Sequence, residues 1–254
     1  MTDIRFEFNG RTALVTGAAS GIGRDIALEL GASGASVLVS DLEAAACDRV
    51  TAEIRDAGGQ ARSFAADVSD EAAMKEAVAC AEAEWGGLHM AVNNAGIGGP
   101  SLPTGDYPAD EWRRVIDINL NGVFYGMRWQ IPAMLRAGGG SIVNMSSILG
   151  SVGFANAAPY VAAKHALRGL TRTAAMEYAA QGVRVNAVGP AFIDTPLLSA
   201  NLSPEVMQGL ASLHPMGRIG TPAEVSALTL FLLSGRASFI TGSYHLVDGG
   251  YTAP

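Results

Sequence analysis

Tyr160 and Lys164 lie four residues apart in a helically patterned stretch, so their side chains rise from one helix face a turn apart. A phenol beside an ammonium is equipped to move a proton, as reduction of a ketone or oxidation of a secondary alcohol requires when a hydride moves. Free tyrosine titrates near 10, and bringing it to about 7 takes roughly three units, or about 4 kcal/mol. An ammonium about 4 Å away, at an effective dielectric near 20, supplies about that much. Composition argues against an accidental pair. The chain holds only two lysines, Lys75 and Lys164, against fifteen arginines. Arginine, with its higher pKa and broad fork, is a poor substitute for a compact, shiftable charge beside a phenol.

Two more polar residues join the pair. Ser147, thirteen residues before Tyr160, follows an apolar run, and its hydroxyl suits donation to a carbonyl oxygen as negative charge develops there. Ser146 is the neighbouring alternative. Asn119 stands among Ile116, Ile118 and Leu120, where an amide is costly unless partnered. Read alone, it is a buried structural asparagine. A serine-hydrolase reading fails because the chain has no Gly-x-Ser-x-Gly elbow. A phosphoryl-transfer reading fails because neither lysine follows a glycine, as a P-loop requires.

A second constellation opens the chain. The run Thr16-Gly17-Ala18-Ala19-Ser20-Gly21-Ile22-Gly23 follows an apolar strand pattern and leads straight into a helical one. Glycines there permit a tight turn, close approach of a phosphate and packing of helix on strand, while the helix N-terminus attracts the anion. The second strand pattern ends at Asp41, 24 residues beyond Gly17. A carboxylate at that point accepts from both adenosine ribose hydroxyls and repels a 2′-phosphate. Ser20 and Leu42 supply no cation for such a phosphate. The expected cofactor is NAD rather than NADP.

The elements that must position these residues alternate strictly. Strand patterns fall at 12–16, 36–40, 61–65, 90–93, 141–145, 184–188 and 244–247. Helical patterns fall between them at 22–30, 42–57, 71–85, 110–136, 160–180 and 223–233. Runs such as Ala13-Leu14-Val15 are apolar without alternation, as parallel strands covered on both faces are. Unbroken β-α alternation predicts a Rossmann-like α/β fold, a doubly wound parallel sheet with helices on both faces, in one domain spanning 1–254. An apolar insert at about 192–215 is expected to act as a substrate lid.

The spacing Gly17-x-x-x-Gly21-x-Gly23 resembles that of the short-chain dehydrogenase/reductase family. The resemblance covers nearly the whole chain through Asp67-Val68, Asn93-Asn94-Ala95-Gly96, Asn119, Ser147 and Tyr160-Val161-Ala162-Ala163-Lys164. It implies a seven-stranded sheet and a catalytic set of Asn119, Ser147, Tyr160 and Lys164, with Asn119 holding a water that links Lys164 to solvent. For the cofactor it implies contacts from Gly17, Ser20, Gly21, Ile22, Gly23, Asp41, Tyr160 and Lys164. Asp67 and Val68 would lie near the adenine, Asn94 near the adenosine-side ribose, and Ile193 and Thr195 beside the nicotinamide amide and phosphates. The family spacing favours Ser147 over Ser146. Two departures stand out. Ala191 follows Pro190 where the family usually has glycine, which would narrow the nicotinamide end of the pocket. His89 stands where aspartate is frequent, and reads as structural.

Composition closes off other classes. Hydrophobic residues make up 49% and charged residues 16%, a balance that excludes a disordered chain. A net charge of −7 argues against nucleic-acid or anionic-membrane surfaces. Cys47 and Cys80 make no disulfide framework, and the histidines at 89, 165, 214 and 245 form no metal-ligand pair, so no metal is expected. The first residues carry Asp3, Arg5 and Glu7 without an apolar core, and a cytoplasmic protein is expected.

The insert carries Leu197, Leu198, Leu202, Met207, Leu210 and Leu213 but no lysine or arginine between Thr195 and Met216. With Ile97, Ile148, Leu149, Phe154 and Phe192 it would form a wall suited to a small, neutral secondary alcohol or ketone, cyclic ones included. The alternatives are an NADP-tolerant reductase of sugars or acyl-carrier-bound ketones and, more remotely, a non-catalytic dinucleotide-binding sensor on the same fold. Small residues along 160–180 and the aromatics Trp112, Phe124, Tyr125 and Trp129 predict helix pairing about a two-fold axis. A second interface near the C-terminal Tyr251 would make a homotetramer.

Overall fold

A computed structural model describes residues 5–199 and 204–253. Seven strands run parallel in one sheet: β1 Thr12–Thr16, β2 Ser36–Asp41, β3 Gln60–Ala65, β4 Met90–Asn93, β5 Gly140–Met145, β6 Val183–Pro190 and β7 Tyr244–Val247. Their order is β3-β2-β1-β4-β5-β6-β7. The order reverses between β1 and β4, the point at which an open α/β sheet forms a crevice beyond its strand ends. The strand patterns of the sequence are all observed, extended by one residue at β2, β3 and β5 and by three at β6.

The helices are α1 Gly21–Ala32, α2 Ala44–Asp56, α3 Glu71–Trp85, α4 Ala109–Ile116, α5 Gly122–Arg136, α6 Ala158–Tyr178, α7 Pro196–Ser199, α8 Pro204–Ser212 and α9 Pro222–Leu233. Because strand residues alternate between faces, the continuous apolar runs feed two cores. Val15, Val37 and Val39 pack on one face with Ile26 and Leu30 of α1 and Val225 and Leu230 of α9. Leu14, Leu38 and Ile142 pack on the other with Met74 of α3, Met134 of α5 and Leu167 of α6.

Three local features bear on the site. The stretch 110–136 is not one regular helix: a π-helical turn at Asp117–Asn121 separates α4 from α5. Such bulges recur at functional sites because they turn one side chain inward. Beneath the crevice, a buried amide ladder joins strands to helices. Asn93 Nδ2 donates to Gln130 Oε1 (3.1 Å) and Asn144 Oδ1 (2.9 Å), Gln130 returns a bond to Asn93 Oδ1 (2.8 Å), and Asn144 Nδ2 donates to Thr171 Oγ1 (3.0 Å). His89 is structural: its Nδ1 accepts the Thr12 N–H at 3.1 Å, joining the start of β1 to the start of β4. Among the described residues no helix is long and apolar enough to cross a membrane.

Candidate active site

The residues singled out for chemistry gather at the carboxyl ends of the central strands. Strand β5 delivers Ser147 as the cap of a short turn over Ile148–Gly150. Its Oγ accepts the Leu149 N–H at 3.2 Å, which leaves the hydroxyl proton for donation, and the hydroxyl is placed to favour the ionised form of the Tyr160 phenol. Ser146 is committed elsewhere, donating to the Lys164 carbonyl at 3.0 Å inside the protein. This separates the two serines by geometry as well as by spacing.

Pro159 in the first turn of α6 sets the entry of the helix that carries the pair. Lys164 is buried; its Nζ donates to the Met145 carbonyl at 2.8 Å and lies 5.3 Å from the centre of the Tyr160 ring. Burial pulls the ammonium down to about 8. Burial also pushes the Tyr160 phenol above its ordinary value, against the pull of the Ser147 hydroxyl, with the neighbouring Tyr244 phenol adding to the rise. The sequence reading has Lys164 bringing the phenol down. In the folded chain the shift runs the other way, with burial its largest cause.

Asn119, on the π turn, is fully buried. Its Nδ2 donates to the carbonyls of Ile97 and Val115, both at 2.9 Å, while Oδ1 is buried without a partner. A Cβ at Gly96 would lie 2.6 Å from that oxygen and 3.7 Å from Lys164 Nζ. The glycine leaves open a place that both polar atoms border.

At the other end, Gly17 and Gly21 take left-handed backbone, φ 64° and 53°. A Cβ at Gly23 would fall 2.1 Å from the Gly17 carbonyl and 2.4 Å from Asn94 Nδ2, so any side chain there would lift helix from strand. Asn94 Nδ2 donates to the carbonyls of Thr16 (3.0 Å) and Gly17 (3.1 Å), pinning the loop. Ser20 caps α1 without a side-chain bond, and the first turn holds no acidic residue. That leaves the dipole end open to an anion. Asp41 adjoins the loop: one carboxylate oxygen accepts from the Ala19 N–H at 2.9 Å, the other from Leu42 N–H at 2.8 Å. Ile22 packs against the core, so it presents backbone rather than side chain.

Thr195 meets the loop too, its Cγ2 3.1 Å from where a Gly21 Cβ would sit, while Ile193 bridges to Gly220. Val68 packs over Gly122, and the exposed Asp67 accepts from Ser69 N–H and Oγ at 2.9 and 2.7 Å in the turn after β3. The residues read as one dinucleotide cradle therefore share one edge of the sheet, with Asp67 at its margin. Open backbone donors, close glycines and a carboxylate beside the loop fit a nicotinamide dinucleotide.

The apolar wall contains more than the sequence suggests. Phe192 packs edge-on to Phe154 (6.2 Å), His214 (5.9 Å) and Tyr251 (5.9 Å). Tyr251 thus packs within its own chain. Its neighbour Gly249 accepts the Met216 N–H, so the C-terminal run clasps the segment after α8. Leu202 lies outside the described residues. Three further residues near Ser147 escaped sequence reading: Arg168, Gly189 and Tyr244, the last donating to the Ser147 carbonyl. Their only signal is an aromatic in an edge strand and a glycine in a buried one.

The model of a family described as enoyl-(acyl carrier protein) reductase matches residues 17–252. Cyclohexanol dehydrogenase of Acinetobacter sp. (strain SE19) is 49% identical over 247 residues, covering 97% of each chain. Cis-4-hydroxycyclohexanecarboxylate dehydrogenase of Sinomonas cyclohexanicum is 46% identical over 97% of this chain and 98% of that one. The crystal structure of a short-chain type dehydrogenase/reductase from Mycobacterium marinum superposes with a TM-score of 0.93, at 35% identity and 98% coverage of both chains.

Proposed function

The chain belongs to the short-chain dehydrogenase/reductase family, and within it we propose an oxidoreductase that moves a hydride between NAD and a small neutral secondary alcohol or its ketone. The observation that carries this is the convergence of Ser147, Tyr160 and Lys164 in one desolvated site beside the glycine cradle. When bound, the nicotinamide dinucleotide accepts or delivers the hydride and, oxidised, brings a positive charge. The chain's own residues handle the proton. In oxidation Tyr160 takes the hydroxyl proton of the alcohol; in reduction it returns one to the ketone oxygen. Ser147, its Oγ already accepting from Leu149, donates to the substrate oxygen in both directions. Lys164 steadies the phenolate across the ring, and the unpartnered Asn119 Oδ1 beside Gly96 holds a water that passes protons between Lys164 and solvent.

For the cofactor, Gly17, Ser20, Gly21, Ile22 and Gly23 would hold the pyrophosphate. Asp41 would hold the ribose, Asp67, Val68 and Asn94 the adenosine side, and Ile193 and Thr195 the nicotinamide side. Asp41 supports NAD over NADP. The substrate reading draws on the aromatic cluster around Phe192, on an insert without lysine or arginine between Thr195 and Met216, and on a relative named for cyclohexanol. We read the insert at about 192–215 as the lid over this substrate. A second reading, reduction of acyl-carrier-bound ketones, shares its carrier-bound substrate, though not its reacting bond, with the description of the matching family, since an enoyl group is reduced at a carbon–carbon double bond. A panel of cyclohexanol, 4-hydroxycyclohexanecarboxylate, a polyol and an acyl-thioester ketone, each with both cofactors, decides between them. Turnover of anionic or carrier-bound substrates alone would overturn the neutral-alcohol reading.

The assembly reading is a homotetramer. Ala162, Ala166, Gly169, Thr173 and Met176 form an exposed stripe on α6, and Trp112 and Phe124 are exposed on the preceding helices. Tyr125 and Trp129 contribute less than their types suggest, because both pack against the core and Trp129 lies under Lys75. Phe239, before β7, and Leu246, on β7, are exposed as well. Apolar exposure at both places supports a dimer of dimers. We propose a cytoplasmic location.

A further inference from the structure

Tyr244 reaches from the edge strand β7 to the turn that carries Ser147. Its hydroxyl donates to the Ser147 main-chain carbonyl at 2.5 Å. The Arg168 guanidinium lies over its ring, 4.6 Å from the centre. Arg168 stands one turn beyond Lys164 on α6 and donates through Nη1 to the Gly150 carbonyl at 2.8 Å, at the far end of the same short turn. Space for the phenol comes from β6: a Cβ at Gly189 would fall 2.3 Å from the Tyr244 hydroxyl oxygen and 2.5 Å from Cζ. Three elements therefore converge on the backbone of residues 147–150.

Closing that turn does not require Tyr244, since the Ser147 carbonyl already accepts the Gly150 N–H at 2.8 Å. The second bond restricts the orientation of the peptide, and with it the direction of the Ser147 hydroxyl. Burial pushes the Tyr244 phenol up, so it stays a donor through the neutral range. A half-buried donor aimed at a carbonyl that already has a partner is more than a packing ring needs.

We propose that Tyr244, clamped by Arg168 and admitted by Gly189, is a positioning residue that holds the Ser147 hydroxyl in line with Tyr160 and the substrate oxygen. This rests on the role given to Ser147 above. The effect belongs to the chemical step, not to cofactor or substrate capture.

Tyr244→Phe removes the hydroxyl and keeps the ring under Arg168. A misaligned donor lowers kcat about tenfold, while KM for the alcohol and Kd for NAD stay within about twofold. In a Ser147→Ala background the same change costs less than about twofold, because the group it positions is gone. Parental kcat in Tyr244→Phe, or an undiminished tenfold loss on top of Ser147→Ala, overturns the proposal. Parental turnover in Ser147→Ala alone instead overturns the reading of the active site, so the two failures are separable. Should Tyr244→Phe not fold, Gly189→Ala displaces the phenol without removing it. The same loss confined to kcat is expected there, and parental kcat overturns the proposal again.

Discussion

Replacing Asp41 by alanine tests the cofactor reading through a ratio. Both carboxylate oxygens are fixed, one by Ala19 N–H at 2.9 Å and one by Leu42 N–H at 2.8 Å, and each retains a lone pair for a ribose hydroxyl. A hydrogen bond to a charged group is worth about 1.5–3 kcal/mol, so losing the ribose contacts costs NAD at least about 2 kcal/mol. Repulsion of a 2′-phosphate about 5 Å from this half-buried carboxylate lies between roughly 1 and 3 kcal/mol per charge, for dielectrics from water's down to about 20. The parental preference for NAD is then about 3–5 kcal/mol, or roughly a hundred- to a few-thousand-fold in kcat/KM. Asp41→Ala abolishes most of it. The substitution also frees Ala19 and loosens the glycine loop, but that loss falls on both cofactors and cancels in the ratio. Asp41→Asn, which drops the charge and keeps an acceptor, lands between. The measurement is kcat/KM for NAD and NADP with one alcohol, followed by nicotinamide absorbance. Equal use of NADP by the parent, or a ratio in Asp41→Ala within about threefold of parental, refutes the reasoning.

Tyr160→Phe should lower turnover by about 10²–10⁴ while NAD binding, read by protein fluorescence, survives; retained activity would reassign the proton donor. Lys164→Arg should be nearly as inactive as Lys164→Ala, since a guanidinium neither fits nor shifts its pKa as an ammonium does. Lys164→Met, also inactive, should be more stable than the parent at pH 7. The folded pKa of about 8 lies below the free value, so folding at neutral pH retains a charge that burial disfavours, at a cost of about 3 kcal/mol. The unfolded chain binds the extra proton between the two values, so parental stability rises from pH 8 towards 10 and the advantage of the methionine fades there. Denaturant melts at pH 7 and 10 check this, and a less stable methionine variant at pH 7 would show that the Met145 hydrogen bond outweighs desolvation. Light scattering on a size-exclusion peak should give four times 26.2 kDa, and a single-chain mass would defeat the assembly reading.

Strands and helices were legible because parallel strands buried on both faces leave continuous apolar runs, and the glycines and Tyr-x-x-x-Lys have meaning at short range. What escaped acts at long range or at fine scale. The π turn at Asp117–Asn121 widens a helix by a single residue, too little to disturb a period read over several turns. Tyr244 and Ser147 are 97 residues apart, and nothing local marks a strand tyrosine as the partner of a distant carbonyl. Tyr125 and Trp129 read as surface because 122–136 is apolar around most of its girth, with only Arg128, Gln130 and Arg136 to orient it. The direction of the Tyr160 shift depends on how completely α6 and the β5 turn exclude water, a tertiary quantity.

The site departs from what stability alone would place there. A buried ammonium, an amide oxygen without a partner and a bulged helix meet within a few residues of Gly96. The amide ladder beneath them accounts for how this survives. Thr171 stands seven residues beyond Lys164, two turns along the same face of α6, and accepts from Asn144, which accepts from Asn93, which exchanges bonds with Gln130 of α5. These buried groups satisfy one another, so sliding α6 along the sheet would orphan several at once, at about 1–3 kcal/mol each. The ladder therefore fixes the register of α6 against β5. That register holds Tyr160 and Lys164 beside Ser147 against the desolvation that disfavours their charges.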